Sequence, residues 1–331
     1  MGSFKVVIIA FLAWILPQAA STTGADLRIA TGGVELAATL TLPAGPGPHP
    51  AIVLLAGSGP STRQSLRKFS DHFNSVGFAT LVYDKRGSGQ STGSWTTASF
   101  DDNVADAQAA IAILMADTRI DRRRIGVWGV SQAGWFVPAL TVRAPDLAFA
   151  IVLTGGGATP RDVEMFMHEA SLDAAGVTPA QRDQARRLLT AYFAWLGTGV
   201  DRAGVVQLMT LAKPESWYRA IALDGVMPSD ANRPRWEWVA KYDPMPFIEQ
   251  MKLPTLVVLG TADQMGSTPL AAERWRSGLD RAGNRRASVV VIDGMGHAAT
   301  IGSSHEQGGA VMPEYTATVS AFLQQLKPQG R

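Results

Sequence analysis

Trp128-Gly129-Val130-Ser131-Gln132-Ala133-Gly134 follows directly on an apolar run, Ile125 to Trp128, and opens a segment of helical period. A serine at a sharp strand-to-helix turn needs small residues two positions to either side, because the backbone is strained there and the helix packs back close to the strand. Gly129 and Ala133 supply them; Ala133 stands where a second glycine is usual, and Gly134 follows. The same placement also suits a serine that only caps a buried helix. Taken alone, the turn does not separate a nucleophile from a cap.

Working outward, from Pro50 short apolar runs alternate with longer helical segments: Ala51 to Leu55, a helix to Val76, Ala79 to Tyr83, a helix from Phe100 to Met115, Ile125 to Trp128, a helix after Ser131, and Phe149 to Leu153. This β-α-β-α series predicts an α/β fold with a mostly parallel central sheet, helices on both faces, right-handed crossovers and a crevice at the carboxyl ends of the strands. Upstream, Leu27 to Thr31 and Val34 to Leu42 alternate apolar and polar residues around Gly32-Gly33, as an antiparallel hairpin at a sheet edge does. From about Pro160 to Tyr242 the strand pattern stops and the chain turns helical and rich in Trp, Met and Arg, which reads as an inserted helical cap. Trp195, Trp217, Trp236 and Trp238 could line an apolar acyl pocket, but packing of the cap onto the core is expected for most of them. Strands resume at Leu256 to Leu259 and Ser288 to Ile292, and a helix over Pro313 to Leu326 closes the chain.

The N-terminus carries Lys5, an apolar stretch from Val6 to Leu16, Pro17 and the small run Ala19-Ala20-Ser21. That layout reads as a cleavable signal peptide, being shorter than the roughly 20 apolar residues a spanning helix needs. The expected division is a signal peptide over 1–21, a first part of the core over 22–159, the cap over 160–245 and a second part of the core over 246–331. A secreted or periplasmic protein without stable membrane anchoring is expected. The 331 residues are 46% hydrophobic and 18% charged, with a formal net charge of +2 and no cysteine. Disulfides, thiolate metal ligation and thiol-linked lipid are thereby excluded. The basic residues are scattered without interleaved stacking aromatics, so no nucleic-acid partner is expected. Arg122-Arg123-Arg124 reads as a solvated edge before a strand.

Serine attacks poorly at its own pKa and needs a base, which in turn needs an orienting acid. After Leu253-Pro254 and the strand Leu256 to Leu259, a short loop brings Asp263 to the carboxyl edge of the sheet where Ser131 lies. After Val289 to Ile292, the loop Asp293-Gly294-Met295-Gly296 brings His297 to the same edge. Asp263 could serve only in a turn and His297 only on a surface loop, but coincidence of all three at consecutive strand ends favours one catalytic set. His305 is the substitute base; His49, His72 and His168 are poorly placed. Asp293 is a fallback acid and is expected to be structural. Two backbone N–H groups must meet the developing oxyanion. Gln132 supplies one, and Ser58, with Gly57 beside it in Leu55-Ala56-Gly57-Ser58-Gly59-Pro60, supplies the other.

AGSGP, Tyr83-Asp84-Lys85-Arg86-Gly87-Ser88-Gly89-Gln90-Ser91, GVSQAG, Tyr242-Asp243-Pro244, GTAD and GMGH together resemble the α/β-hydrolase superfamily, in particular exported esterases and serine-aminopeptidase-like members with a helical cap. The resemblance covers nearly everything after the leader except the cap. It implies Ser131, Asp263 and His297 as a triad, and a structural role for the D-x-R-G-x-G-x-S segment beside the site. The family usually has His-Gly where this chain has Ala56-Gly57. The expected activity is hydrolysis of a small-molecule carboxylic ester of short or medium acyl length through an acyl-enzyme, with no metal or organic cofactor. A serine peptidase or thioesterase would use the same machinery. A non-catalytic binding module on the same scaffold is the reading from another class. Carboxylate-nucleophile dehalogenase chemistry is disfavoured by a serine at 131.

Overall fold

The structure, a computed structural model, describes residues 23–221, 223, 227–302 and 310–326. The leader over 1–21 and His305 lie outside the described residues. Eight strands form one sheet: β1 (Thr23–Thr31), β2 (Val34–Leu42), β3 (His49–Leu55), β4 (Ala79–Tyr83), β5 (Ile120–Val130), β6 (Phe149–Leu153), β7 (Thr255–Gly260) and β8 (Ala287–Ile292). Their spatial order is β1-β2-β4-β3-β5-β6-β7-β8. The β1–β2 hairpin joins β4 antiparallel, and every pairing from β4 through β3 to β8 is parallel.

The helices are α1 (Arg67–Ser75), α2 (Phe100–Ala116), α3 (Ala133–Arg143), α4 (Pro160–Ala174), α5 (Pro179–Thr198), α6 (Arg202–Ala212), α7 (Tyr218–Ile221), α8 (Arg233–Lys241), α9 (Met245–Ile248), α10 (Thr268–Arg281) and α11 (Pro313–Gln325). Because successive strand residues face opposite ways, the central strands feed two cores. Ala51, Val53, Val127, Ala150 and Val152 pack with Val104 of α2, Val137 of α3 and Trp275 of α10. Ile52, Leu54, Trp128, Ile151 and Leu153 pack on the other face with Phe69 and Phe73 of α1 and Val319 and Phe322 of α11. Strands buried on both faces explain runs that read as continuously apolar.

The strand ending at Ser131 begins at Ile120, five residues before its apolar signal. Asp121 to Arg124 are polar and mostly exposed, yet the backbone stays extended and Ile120 pairs with His49. Between β6 and β7, α4 to α7 enclose an apolar cluster of their own that includes Leu172, Leu189, Phe193, Trp195, Met209 and Trp217. Trp195 and Trp217 are therefore packing residues of that cluster. Trp236 and Trp238 of α8 reach the start of α2: the Trp236 indole N–H donates to the Thr96 carbonyl at 2.9 Å, and the Trp238 ring lies 5.7 Å from that of Phe100.

The helix that closes the second core is fixed to the strand that carries Ser131. The Trp128 indole N–H donates to the Tyr315 hydroxyl at 2.7 Å with both side chains fully buried. Removing the acceptor strands a buried donor, which costs about 1–3 kcal/mol. Tyr315→Phe is expected to lower unfolding free energy by that amount in urea titrations.

Candidate active site

Ser131 holds φ at +57°, a conformation that side-chain-bearing residues adopt at a cost of about 1–3 kcal/mol. It lies at the end of β5, donates its N–H to the Leu153 carbonyl at 3.0 Å, and accepts from the Gly134 N–H at 2.8 Å as α3 begins. Space around it is reserved by glycine. A Cβ at Gly57 would stand 3.0 Å from Ser131 Cβ, one at Gly129 would stand 2.8 Å from Val137 Cγ2, and one at Gly134 would stand 2.5 Å from the Gly155 carbonyl carbon. Ala133 fits because its methyl is the largest group the Gly129 side of the turn can face.

Asp263 follows β7 and His297 follows β8. His297 Nδ1 donates to Asp263 Oδ2 at 3.0 Å and Oδ1 at 3.1 Å, and the Met265 N–H donates to Oδ1 at 2.9 Å. The proton shared with Asp263 on Nδ1 makes Nε2 the lone-pair nitrogen of the ring. Just beyond His297, Ala298 and Ala299 both take positive φ, and the Ala298 N–H donates to the hydroxyl of Thr154, itself at φ +44°. Three strand ends thus carry left-handed backbone at the same edge of the sheet.

Ser131, Asp263 and His297 all line one cavity of about 190 Å³, together with Ser58 and Gln132. Among the described residues, the backbone N–H groups of Ser58 and Gln132 meet no protein acceptor. Gly57 lies against Ser131 Oγ, where its missing Cβ leaves 3.4 Å. The opposing wall is apolar and aromatic, with Trp95, Trp135, Trp236 and Trp238. Asp293 does not reach the imidazole: its Oδ1 accepts from the Thr261 hydroxyl at 2.8 Å, which braces the loop. His49 is buried at the sheet's amino end beside Arg119, His72 meets the Ser320 hydroxyl, and His168 lines a second cavity of about 610 Å³.

Three features of the site have no counterpart in the sequence reading. Lys85 is buried and reaches the cavity, donating from Nζ to the Gly57 carbonyl at 2.9 Å and to Gln132 Oε1 at 2.7 Å. Burial pulls its ammonium pKa down to about 8, against the opposing field of Asp106. Glu164 of α4 lines both cavities, and burial raises its carboxyl pKa above the ordinary value. The loop Thr154-Gly155-Gly156-Gly157-Ala158 is pinned from three sides, by the indoles of Trp135 and Trp275 and by Arg274, bound to the carbonyls of Ala158, Gly155 and Gly157 at 2.8, 3.0 and 2.8 Å. The signals were present: a lysine two residues past a strand's carboxyl end, and a glycine run just past another.

The sequence profile of the family described as X-Pro dipeptidyl-peptidase (S15 family) matches residues 32–277. The quorum-quenching protein AidA of Acinetobacter baumannii is 32% identical over 127 residues, 38% of this chain and 42% of that protein. An uncharacterized protein of Pseudomonas aeruginosa is 35% identical over 125 residues, 37% of this chain and 33% of its own length. The match thus spans well under half of either relative. Among solved structures, an esterase of Pyrococcus furiosus superposes with a TM-score of 0.58 at 18% identity, covering 98% of this chain and 99% of that one. Est1E from Butyrivibrio proteoclasticus with ferulic acid bound also gives 0.58, at 15% identity, over 91% of this chain and 98% of that one.

The packing at Ser131 has a direct test. Gly134→Ala drives a methyl into the Gly155 backbone, and overpacking of this kind costs about 1–3 kcal/mol. Chemical denaturation is expected to show that loss, with slower fluorophosphonate labelling at 131.

Proposed function

The chain belongs to the X-Pro dipeptidyl-peptidase (S15) family and is a serine hydrolase of the α/β-hydrolase fold; from that premise we propose that it cleaves carboxylic esters of short or medium acyl groups through an acyl-enzyme. The observation that carries this reading is the His297–Asp263 pair at 3.0 Å in the same cavity as a strained, exposed-edge serine. Ser131 Oγ attacks the carbonyl as its proton passes to His297 Nε2. Asp263 fixes the ring and stabilises the imidazolium, and the N–H groups of Ser58 and Gln132 receive the oxyanion. His297 then protonates the leaving alcohol, and water reverses the sequence to release the acid. A cavity of about 190 Å³ is smaller than the roughly 300–1,000 Å³ of drug-sized sites. That size and the tryptophan wall support a compact apolar acyl group. Export is part of the proposal and rests on the N-terminal apolar stretch; N-terminal sequencing of the secreted or periplasmic protein tests it.

A second reading, peptide hydrolysis at a free amino terminus, is favoured by Glu164. A carboxylate lining the cavities beside Trp95, Trp236 and Val239, with no cation bonded to it among the described residues, suits a substrate ammonium. Ionised Glu164 is the form that attracts it, and its raised pKa means that attraction builds as pH rises past the ordinary carboxylate range.

Ser131→Ala is expected to lower turnover of p-nitrophenyl esters, acetyl to dodecanoyl, by roughly 10³-fold or more. Unchanged turnover would move the chemistry off Ser131, and folded wild type inert to both esters and fluorophosphonate would leave the binding-module reading in its place. On the peptide reading, Glu164→Gln raises KM for alanyl-prolyl p-nitroanilide at least tenfold and leaves p-nitrophenyl butyrate within about twofold.

A further inference from the structure

Lys85 is the one buried cation of the site that the acyl-enzyme chemistry above does not use. Buried charges are ordinarily paired with an opposite charge, and its neighbour Arg86 obeys the rule, gripping Asp106 at 2.6 and 2.8 Å. Lys85 does not: its two bonded acceptors are a peptide carbonyl and a side-chain amide, both neutral. The carbonyl belongs to Gly57, and that peptide's N–H is the N–H of Ser58. The amide belongs to Gln132, whose own backbone N–H is the other donor facing the cavity. One ammonium therefore holds both halves of the oxyanion hole.

We propose that Lys85 is the positioning residue of the oxyanion hole, clamping the Gly57 loop to Gln132 and polarising the Gly57–Ser58 peptide so that its N–H becomes a stronger donor to the transition state. A cation on a carbonyl oxygen draws electron density across the amide and strengthens the bond its N–H makes, the same cooperativity by which hydrogen-bonded chains reinforce one another. The uncompensated charge of the resting site is then balanced when the substrate oxygen turns negative, which is preorganisation directed at the transition state alone. The loop is held from behind as well. The Lys85 N–H donates to the Ser61 carbonyl at 2.9 Å, the Ser61 N–H to the Ser88 hydroxyl at 3.1 Å, and the Arg63 N–H to Asp84 at 2.7 Å. Loop and clamp are thus one unit, and Lys85 lines the cavity together with Ser58 and Gln132.

The proposal rests on the acyl-enzyme reading, and the experiment separates the two. Kinetics of wild type, Ser131→Ala and Lys85→Met are compared on one p-nitrophenyl ester, with inhibition by an acyl trifluoromethyl ketone, whose adduct presents an oxyanion. Lys85→Met is expected to lower kcat ten- to a hundredfold with KM within about twofold, and to weaken the ketone by the same factor. The charged and titratable groups near Lys85 are Asp106 of α2, whose field acts on it and which Arg86 engages, Asp84 beside it in the chain, and Glu164, Asp263 and His297 lining the same cavity. The ammonium is the active form and is lost as pH rises through about 8, so wild-type kcat is expected to fall there towards the level of Lys85→Met, which lacks that limb. A kcat within twofold in Lys85→Met, a loss confined to KM, or a wild-type kcat flat through pH 8 overturns the assignment. The wild-type profile decides it if the variant does not fold. Turnover that survives Ser131→Ala overturns both readings together.

Discussion

Everything at the carboxyl edge of this sheet is arranged around the left-handed turn at Ser131. A residue with a side chain at φ +57° is tolerated only where its surroundings leave no alternative, and here they are hard backbone: the loop after β3 on one side, the start of α3 behind, and the loop after β6 beneath. Gly57, Gly134 and Gly155 are absences of atoms that let those three segments close on the serine. Trp135, Trp275 and Arg274 keep the third segment from yielding. Stability is given up locally and recovered in two cores packed on either face of the same strands.

The parallel sheet was legible because its strands are buried twice over, so apolar runs such as Ala51 to Leu55 and Phe149 to Leu153 stand out from the helices that cover them. Where a strand leaves that double burial the signal fades, which is why Asp121 to Arg124 did not register as part of β5. Ser131, Asp263 and His297 stood out because each follows the carboxyl end of a strand, and in a parallel sheet those ends lie along one edge. Ser58 and Gln132 line the same cavity. The residues that escaped, Lys85 and Glu164, are brought to the cavity by contacts across space. Lys85 is directed by its partners at Gly57 and Gln132, and Glu164 by the way α4 crosses the cavity, and neither relation has a period or spacing to read.

The segment Asp84 to Ser91 spreads its work over both chemistries of folding. Asp84, buried, gathers the Arg63 and Gln90 N–H groups, and Ser91 returns to the Asp84 carbonyl at 2.6 Å. Arg86 fastens the same loop to α2 through Asp106. Between Asp84 and Arg86, Lys85 makes this scaffold element a wall of the cavity, and the family resemblance that marks the segment as structural describes its outer face.

The helices between β6 and β7 enclose a nucleus of their own, built on Leu172, Leu189, Phe193 and Trp195, and join the core of the sheet through α8 and through Met245 and Ile248 of α9. A module that stabilises itself can drift, lengthen or be exchanged without disturbing the strand ends below. In evolutionary terms, residues of these helices that line the cavity, such as Val163, Glu164 and Trp238, can change its walls while the strand ends that carry Ser131, Asp263 and His297 stay as they are.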